Sequence, residues 1–222
     1  MRRSRVLALL PLCLCLSPLQ ADSATPLRPG PDAAAVVREM NTARQHPDVY
    51  AGYLEKLRGK FQGKIFILRN GTMMRTHEGV GAVDEAIRFL RHARPIPALT
   101  LSPGIARAAA GHVAEQADGS VGHRGAGFSN GGERMNRYGT WHTLWGENIA
   151  YGKSTARGIV LALIIDDGLR GRKHRKNIFN SAFNYAGAAV GPHACYRTVC
   201  SIDFAAAYVE ADASSFALVA HN

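Results

Sequence analysis

Two apolar runs raise the question of a membrane, and neither is long enough to cross one: Val6 to Leu19, behind Met-Arg-Arg-Ser-Arg, and Ile159 to Ile165. A spanning helix needs about 20 apolar residues, so the apolar side chains of this chain are expected to close on one another in a folded core. The first run has the charged flank and short apolar stretch of a secretory signal, with the small residues Ala21 and Ala24 downstream as cleavage sites. Leu12 and Leu14 stand before Cys13 and Cys15, where a lipid-anchored signal needs a small residue. Residues 1–24 therefore read as a cleaved signal peptide, and the remainder as secreted or periplasmic.

With 46% apolar residues, 20% charged residues, 23 Gly and 10 Pro in 222, the composition excludes disordered and collagen-like chains. Loss of Arg2, Arg3, Arg5 and Asp22 with the signal leaves 24 basic against 16 acidic residues. A single domain of this size buries roughly 70% of its unfolded surface and needs no metal or disulfide to hold a core. Cys195 and Cys200 remain, bracketing Tyr-Arg-Thr-Val in a stretch that reads as a β-hairpin. Opposed strand positions lie about 5 Å apart, so a short disulfide across the turn is expected, as the compartment favours. A redox pair is the rival reading, but the spacing is not Cys-x-x-Cys.

Residues 25–31 have the Pro and small-residue content of a flexible leader, and order is expected from Asp32, a helix cap ahead of Val36, Val37 and Met40. A second helix follows Pro47. Asn70-Gly71 between β-prone arms predicts a hairpin over 64–76, then helices over 80–93, 103–117 (Ser102 as cap, Pro103 at the first turn) and 155–165, with a short one near 133–138. Strands are expected at 186–190 and 199–208. No internal repeat is visible.

Asn41-x-x-Arg44, an Ala-rich helix ending before His123, Gly146-Glu147-Asn148-Ile149-Ala150, and His174-Arg175-Lys176-Asn177-Ile178 occur in that order. Together they resemble the CAP superfamily (cysteine-rich secretory proteins, antigen 5 and pathogenesis-related proteins) in its bacterial, SCP-like form. The resemblance covers 32–209, with 60–95 as an insertion and 210–222 as a tail. It implies an α+β fold, an α-β-α sandwich with an antiparallel sheet between helices, and a cleft bearing two His and two acids. Those residues are His123, Glu147, His174 and a second acid, where the family often carries Glu shortly after a Trp. Here the stretch reads Leu163-Ile164-Ile165-Asp166-Asp167, so Asp166 takes the place, with Asp167 and Glu133 as alternatives.

Two imidazoles with carboxylates are ligands for Zn²⁺ or another divalent cation, His123 and His174 being the metal-ligand candidates. Without a metal, a carboxylate beside each His fixes its tautomer for acid–base work. No nucleophile is marked: the chain has no Gly-x-Ser-x-Gly, no His-Glu-x-x-His and no reactive Cys context. Asn148 and Asn177 are supporting residues, Asn177 by bridging main chain. Trp141 and Trp145 are either core or the apolar wall of a ligand cleft. Arg170, Arg172, Lys173, Arg175 and Lys176 form a basic run that would attract anionic surfaces or polymers, although nothing resembles a nucleic-acid-binding fold. Three functions follow: a secreted binding protein whose cleft holds a divalent metal or small lipid-like ligand, with no organic cofactor; a metal-assisted hydrolase of protease or esterase type in the same cleft; and a basic adhesive module.

Overall fold

The computed structural model describes residues 32–68 and 70–211. The expected signal peptide, the leader over 25–31 and most of the tail lie outside the described residues. Among those described, no helix is long and apolar enough to cross a membrane.

The helices begin where the sequence places caps. Asp32 accepts the Ala34 N–H at 3.1 Å to open α1 (Ala33–Gln45), and Pro47 opens α2 (Pro47–Arg58). A small three-stranded antiparallel sheet follows: β1 (Phe61–Gln62), β2 (Ile65–Ile67) and β3 (Met73–Arg75), with Gly71 at φ +80° in the expected turn. Then come α3 (Val80–His92), β4 (Thr100–Leu101) and α4 (Pro103–Glu115), whose cap Ser102 accepts from Ile105 N at 3.1 Å. Asn130 and Glu133 close a reciprocal capping box on α5 (Gly131–Met135). The rest is β5 (Gly139–Tyr151), α6 (Ala156–Ile165), α7 (Lys173–Ile178), β6 (Tyr185–His193) and β7 (Arg197–Glu210).

The main sheet runs β4-β6-β7-β5. Its pairs are antiparallel except β4 with β6, which is parallel, so the expected antiparallel sheet is mixed at one edge. Asn41 sets that edge: its side chain accepts from Leu99 N at 2.7 Å and donates to Leu99 O at 2.9 Å, laying β4 beside Tyr185. Strand period divides the core. Cys200, Ile202 and Phe204 of β7 join the apolar cluster of α1, α2, α3 and α6, whereas Val199 and Ala205 meet Ala109, Val113, Ile105 and Ala108 of α4. Helices thus cover both faces, as the sandwich requires. Arg44, fully buried, binds the layers together by donating to the carbonyls of Pro97, Ile178, Asn180 and Phe183 at 2.7–3.1 Å. Burial lowers its pKa to about 10.

The expected disulfide is not formed; both thiols are free. The β6–β7 register pairs His193 with Arg197, so Cys195 sits at the tip of the turn and has no opposite position. Cys200 faces Val190 instead, inside the α1/α6 core, where burial pushes its thiol up to about 12.

Candidate functional site

Two histidine–carboxylate pairs stand at the end of the sheet where β5, the loop before α5, and α7 come together. Glu147 lies on β5 with a nearly buried side chain, and its Oε1 is 2.6 Å from His123 Nδ1. Asp166 ends α6 in the left-handed conformation (φ +55°), which an acidic residue tolerates better than a branched one. From there Oδ1 lies 2.7 Å from His174 Nδ1 and Oδ2 accepts the His174 N–H at 3.0 Å. In each pair a carboxylate holding Nδ1–H turns the Nε2 lone pair outward. His123, Glu147 and His174 line one cavity of about 500 Å³ together with Leu169, Lys173, Lys176 and Asn177.

Asp166 therefore fills the second acidic place. The alternatives are occupied elsewhere: Asp167 accepts the N–H groups of His77 and Glu78 at 2.8 Å each, and Glu133 is the exposed partner in the α5 capping box. Asn148 donates to His174 O at 3.0 Å, and Asn177 donates to Asn148 Oδ1 at 2.8 Å and Glu147 O at 3.2 Å, so both tie α7 to β5.

Trp141 and Trp145 do not line the cleft. A bulge between His142 and Trp145, with Thr143 at φ +72°, puts both indoles against α5, where Trp141 Nε1 donates to Gly132 O at 3.0 Å. The basic run is also less open than it looks in sequence. Arg172 is bidentate to Glu78 at 2.6 and 2.7 Å, holding that carboxyl down near about 2. Arg175 is buried and bidentate to Glu85 at 2.7 and 2.6 Å, which lowers the Glu85 pKa. Arg170, Lys173 and Lys176 remain exposed.

Three residues behind the cleft carry no motif. Arg134, buried on α5, pairs with Glu147 Oε2 and donates to Ser129 O at 2.9 Å and His123 O at 3.3 Å. Asp203 is the register partner of Glu147 across β5–β7 and is completely buried. Burial first, then the Glu147 charge, raises its pKa well above the ordinary carboxylate range, and both of its oxygens are buried without a hydrogen-bond partner among the described residues. Gly122, at φ +110°, is fixed by His112 Nε2 (2.9 Å) and Gln116 Nε2 (2.6 Å) on its carbonyl and by the Tyr151 hydroxyl (3.0 Å) on its N–H. That clamp sets where His123 begins.

The donor set is narrower than the count of acids implies. Both oxygens of Glu147 and both of Asp166 are already bonded to His123, Arg134 and His174. Among the described residues no group of three or more His, Cys, Asp or Glu is arranged to hold an ion. The protein offers two imidazole Nε2 atoms, a set that fits an open cation site completed by water or by a ligand's own atoms.

The family model of the cysteine-rich secretory protein (CAP) family matches residues 37–204, and the chain belongs to that family. No curated protein matches the chain. Among solved structures, an extracellular SCP-domain protein of Bacillus anthracis is 25% identical, with 54% of this chain and 37% of that one covered and a TM-score of 0.40. An outer surface protein of Borrelia burgdorferi is 15% identical over 50% of this chain and 78% of its own, with a TM-score of 0.40. A cysteine-rich secretory protein of Staphylococcus aureus is 14% identical over 63% and 45%, with a TM-score of 0.36. This chain thus spans 37% of the Bacillus anthracis protein's length.

Proposed function

We propose that this chain is an exported CAP-domain binding protein whose cleft takes a divalent cation, Zn²⁺ or a similar ion, between Nε2 of His123 and Nε2 of His174. The observation that carries this is the pair of carboxylate-held imidazoles, each with Nδ1 engaged and both lining one cavity. Export is supported by the signal-like residues 1–24 and by the extracellular and outer-surface descriptions of the Bacillus anthracis and Borrelia burgdorferi proteins.

His123 and His174 would hold the ion, and Glu147 and Asp166 act one step back by engaging each Nδ1 and so orienting the ring with Nε2 as the ligating nitrogen. A bound cation supplies Lewis acidity and lowers the pKa of its water. Lys173 and Lys176 at the rim favour an anionic group as the ion's further ligand. No Ser, Thr or Cys is among the residues lining the cleft, so a route through a covalent enzyme intermediate has no hydroxyl or thiol nucleophile there. A lipid-like ligand is poorly served there, since Leu169 is the only apolar side chain in the lining.

Calorimetric titration of the purified protein with Zn²⁺ at neutral pH, beside the His123→Ala/His174→Ala double variant, tests this reading. One-to-one binding that disappears in the variant is expected. Binding that survives the double substitution, or no binding to the unaltered protein, refutes the cation reading.

A further inference from the structure

Away from the histidines, between the β1–β3 sheet and α6, a chamber of about 400 Å³ has an amine in its lining, Lys153. Phe61, Phe66 and Met74 wall it from the small sheet, and Leu161, Ala162 and Ile165 from α6. Phe61 and Phe66 meet with ring centroids 5.0 Å apart, so the aromatic side is formed before any ligand arrives. The Gly152 N–H donates to Thr198 O at 2.9 Å and the Thr198 hydroxyl donates to Lys153 O at 3.0 Å. Lys153 is thus presented to the chamber from backbone pinned to β7.

A lysine taken out of water usually has a carboxylate beside it. Among the described residues none pairs with Lys153, and burial alone lowers its pKa. The acids nearby are engaged elsewhere. Asp167, in the lining, accepts the His77 and Glu78 N–H groups at 2.8 Å each, and Glu78, beside the lining residue Gly79, is bidentate to Arg172. Desolvation without a counter-charge favours the neutral amine, which is a nucleophile where the ammonium is not. An apolar lining also keeps out the water that would hydrolyse an imine.

We propose that Lys153 is a carbonyl-reactive lysine, and that the chamber takes a small aromatic aldehyde, held as an imine on Nζ. The ammonium first gives a proton to solvent. Nζ then attacks the carbonyl carbon, the C–N bond forms, and the carbonyl oxygen takes one of the two Nζ hydrogens. The resulting hydroxyl leaves as water with the second, which completes the C=N bond with no oxidant or reductant. Ser154 and Thr155 supply hydroxyls to the same lining that can bond the departing oxygen. The aromatic preference follows from the Phe61–Phe66 wall, and small size from a volume at the lower end of the roughly 300–1,000 Å³ of small-molecule sites. No residue of the His/acid cleft takes part, so this site and the cation site stand or fall separately.

Labelling of the purified protein with benzaldehyde and cyanoborohydride at pH 7, which reduces the imine to a stable secondary amine, decides it when followed by peptide mapping. The chain has six lysines, and the exposed Lys56, Lys64, Lys173 and Lys176 serve as internal references. Lys153 is expected to label about tenfold faster or more, because each unit by which burial lowers an amine's pKa raises its neutral fraction tenfold at this pH. Its preference over the references should shrink with acetaldehyde, which leaves the aromatic wall uncovered. Ala162→Phe, which fills the chamber, should bring Lys153 down to the reference rate while leaving the cooperative unfolding transition intact. The His123→Ala/His174→Ala variant should label as the unaltered protein does. The proposal is overturned by Lys153 labelling no faster than the references, by a preference as large with acetaldehyde, by a preference that persists in Ala162→Phe, or by its loss in the His variant.

Discussion

Gly187 tests the sandwich at its tightest point. It lies on β6 beneath the first turn of α4, and a Cβ built there would fall 2.5 Å from the Ile105 carbonyl carbon, 2.7 Å from Ala106 Cα, and closer still to the Ala106 nitrogen. These are backbone atoms, so no rotamer change relieves the contact. Gly187→Ala must push α4 off the sheet by about 1 Å, loosening Ile105, Ala108 and Ala109 from the β6 and β7 residues they cover. Overpacking costs about 1–3 kcal/mol when side chains can adjust, and here the upper end or more is expected. At roughly 2–4 °C per kcal/mol for a domain of this size, a cost of about 3 kcal/mol lowers Tm by about 6–12 °C. The cleft should feel the same shift, because His112 and Gln116 clamp Gly122, next to His123.

Gly111→Ala is the internal control. It lies in the same helix, and a Cβ there meets nothing within 4 Å. Replacing a mid-helix glycine then gains about 0.8–1 kcal/mol of helix propensity, raising Tm by about 2–4 °C. Calorimetric unfolding of the two variants should therefore move in opposite directions. A Gly187→Ala protein within about 2 °C of the unaltered one would refute the close seating of α4 on β6.

Asp203→Asn probes the buried acid pair. Since the folded-state pKa of Asp203 lies above the unfolded value, its contribution to stability is full below about 3.9 and is lost as pH rises through the folded value. Asparagine keeps its hydrogens at every pH, so the variant should unfold at a higher temperature than the unaltered protein at pH 7–8, with the gap closing toward pH 4; a gap constant across that range would sink the assignment. Thiol titration of residues 25–222 should find reactive Cys195 in the native state and both thiols only in denaturant, the Cys200 thiol being buried with a pKa near about 12. No free thiol in denaturant would mean that the two are bridged and the hairpin register is wrong.

Where local signals and tertiary context agree, the sequence is a good guide to this fold. Asp32, Ser102 and Asn70-Gly71 each name a cap or turn that the structure contains. β5 was not legible in this way. Gly139–Tyr151 carries Gly, His, Glu and Asn, poor strand residues on their own, and it is a strand because β7 pairs with it along nearly its whole length. α7 has only six residues and opens on Arg172 at φ +47° with no capping side chain, so nothing in its composition marks a helix start. The cysteines show the limit of spacing arguments. A separation of five positions was compatible with a bridge only if the turn lay midway between them, and the turn instead is centred on Cys195.

Glu147 and His174 were legible because they sit in two pentapeptide motifs, whereas the buried groups behind the cleft were not. Asp203 shares a face of β7 with Val199 and Ala205, and an acid at an inward strand position was the one available clue. The second acid shows how the two kinds of information meet. An Asp is a methylene shorter than the Glu common in the family, and here it reaches His174 from the end of α6. Arg172 and Arg175 tie α7 to that end: Arg172 donates to Asp166 O at 2.7 Å, Arg175 to Ile164 O at 2.5 Å, and both are gripped by Glu78 and Glu85. Those two glutamates lie just before α3 and within it, in the segment that reads in sequence as an insertion. The basic run and the insertion are therefore joined, acids supplied by residues 78–85 holding α7 against α6 where Asp166 meets His174.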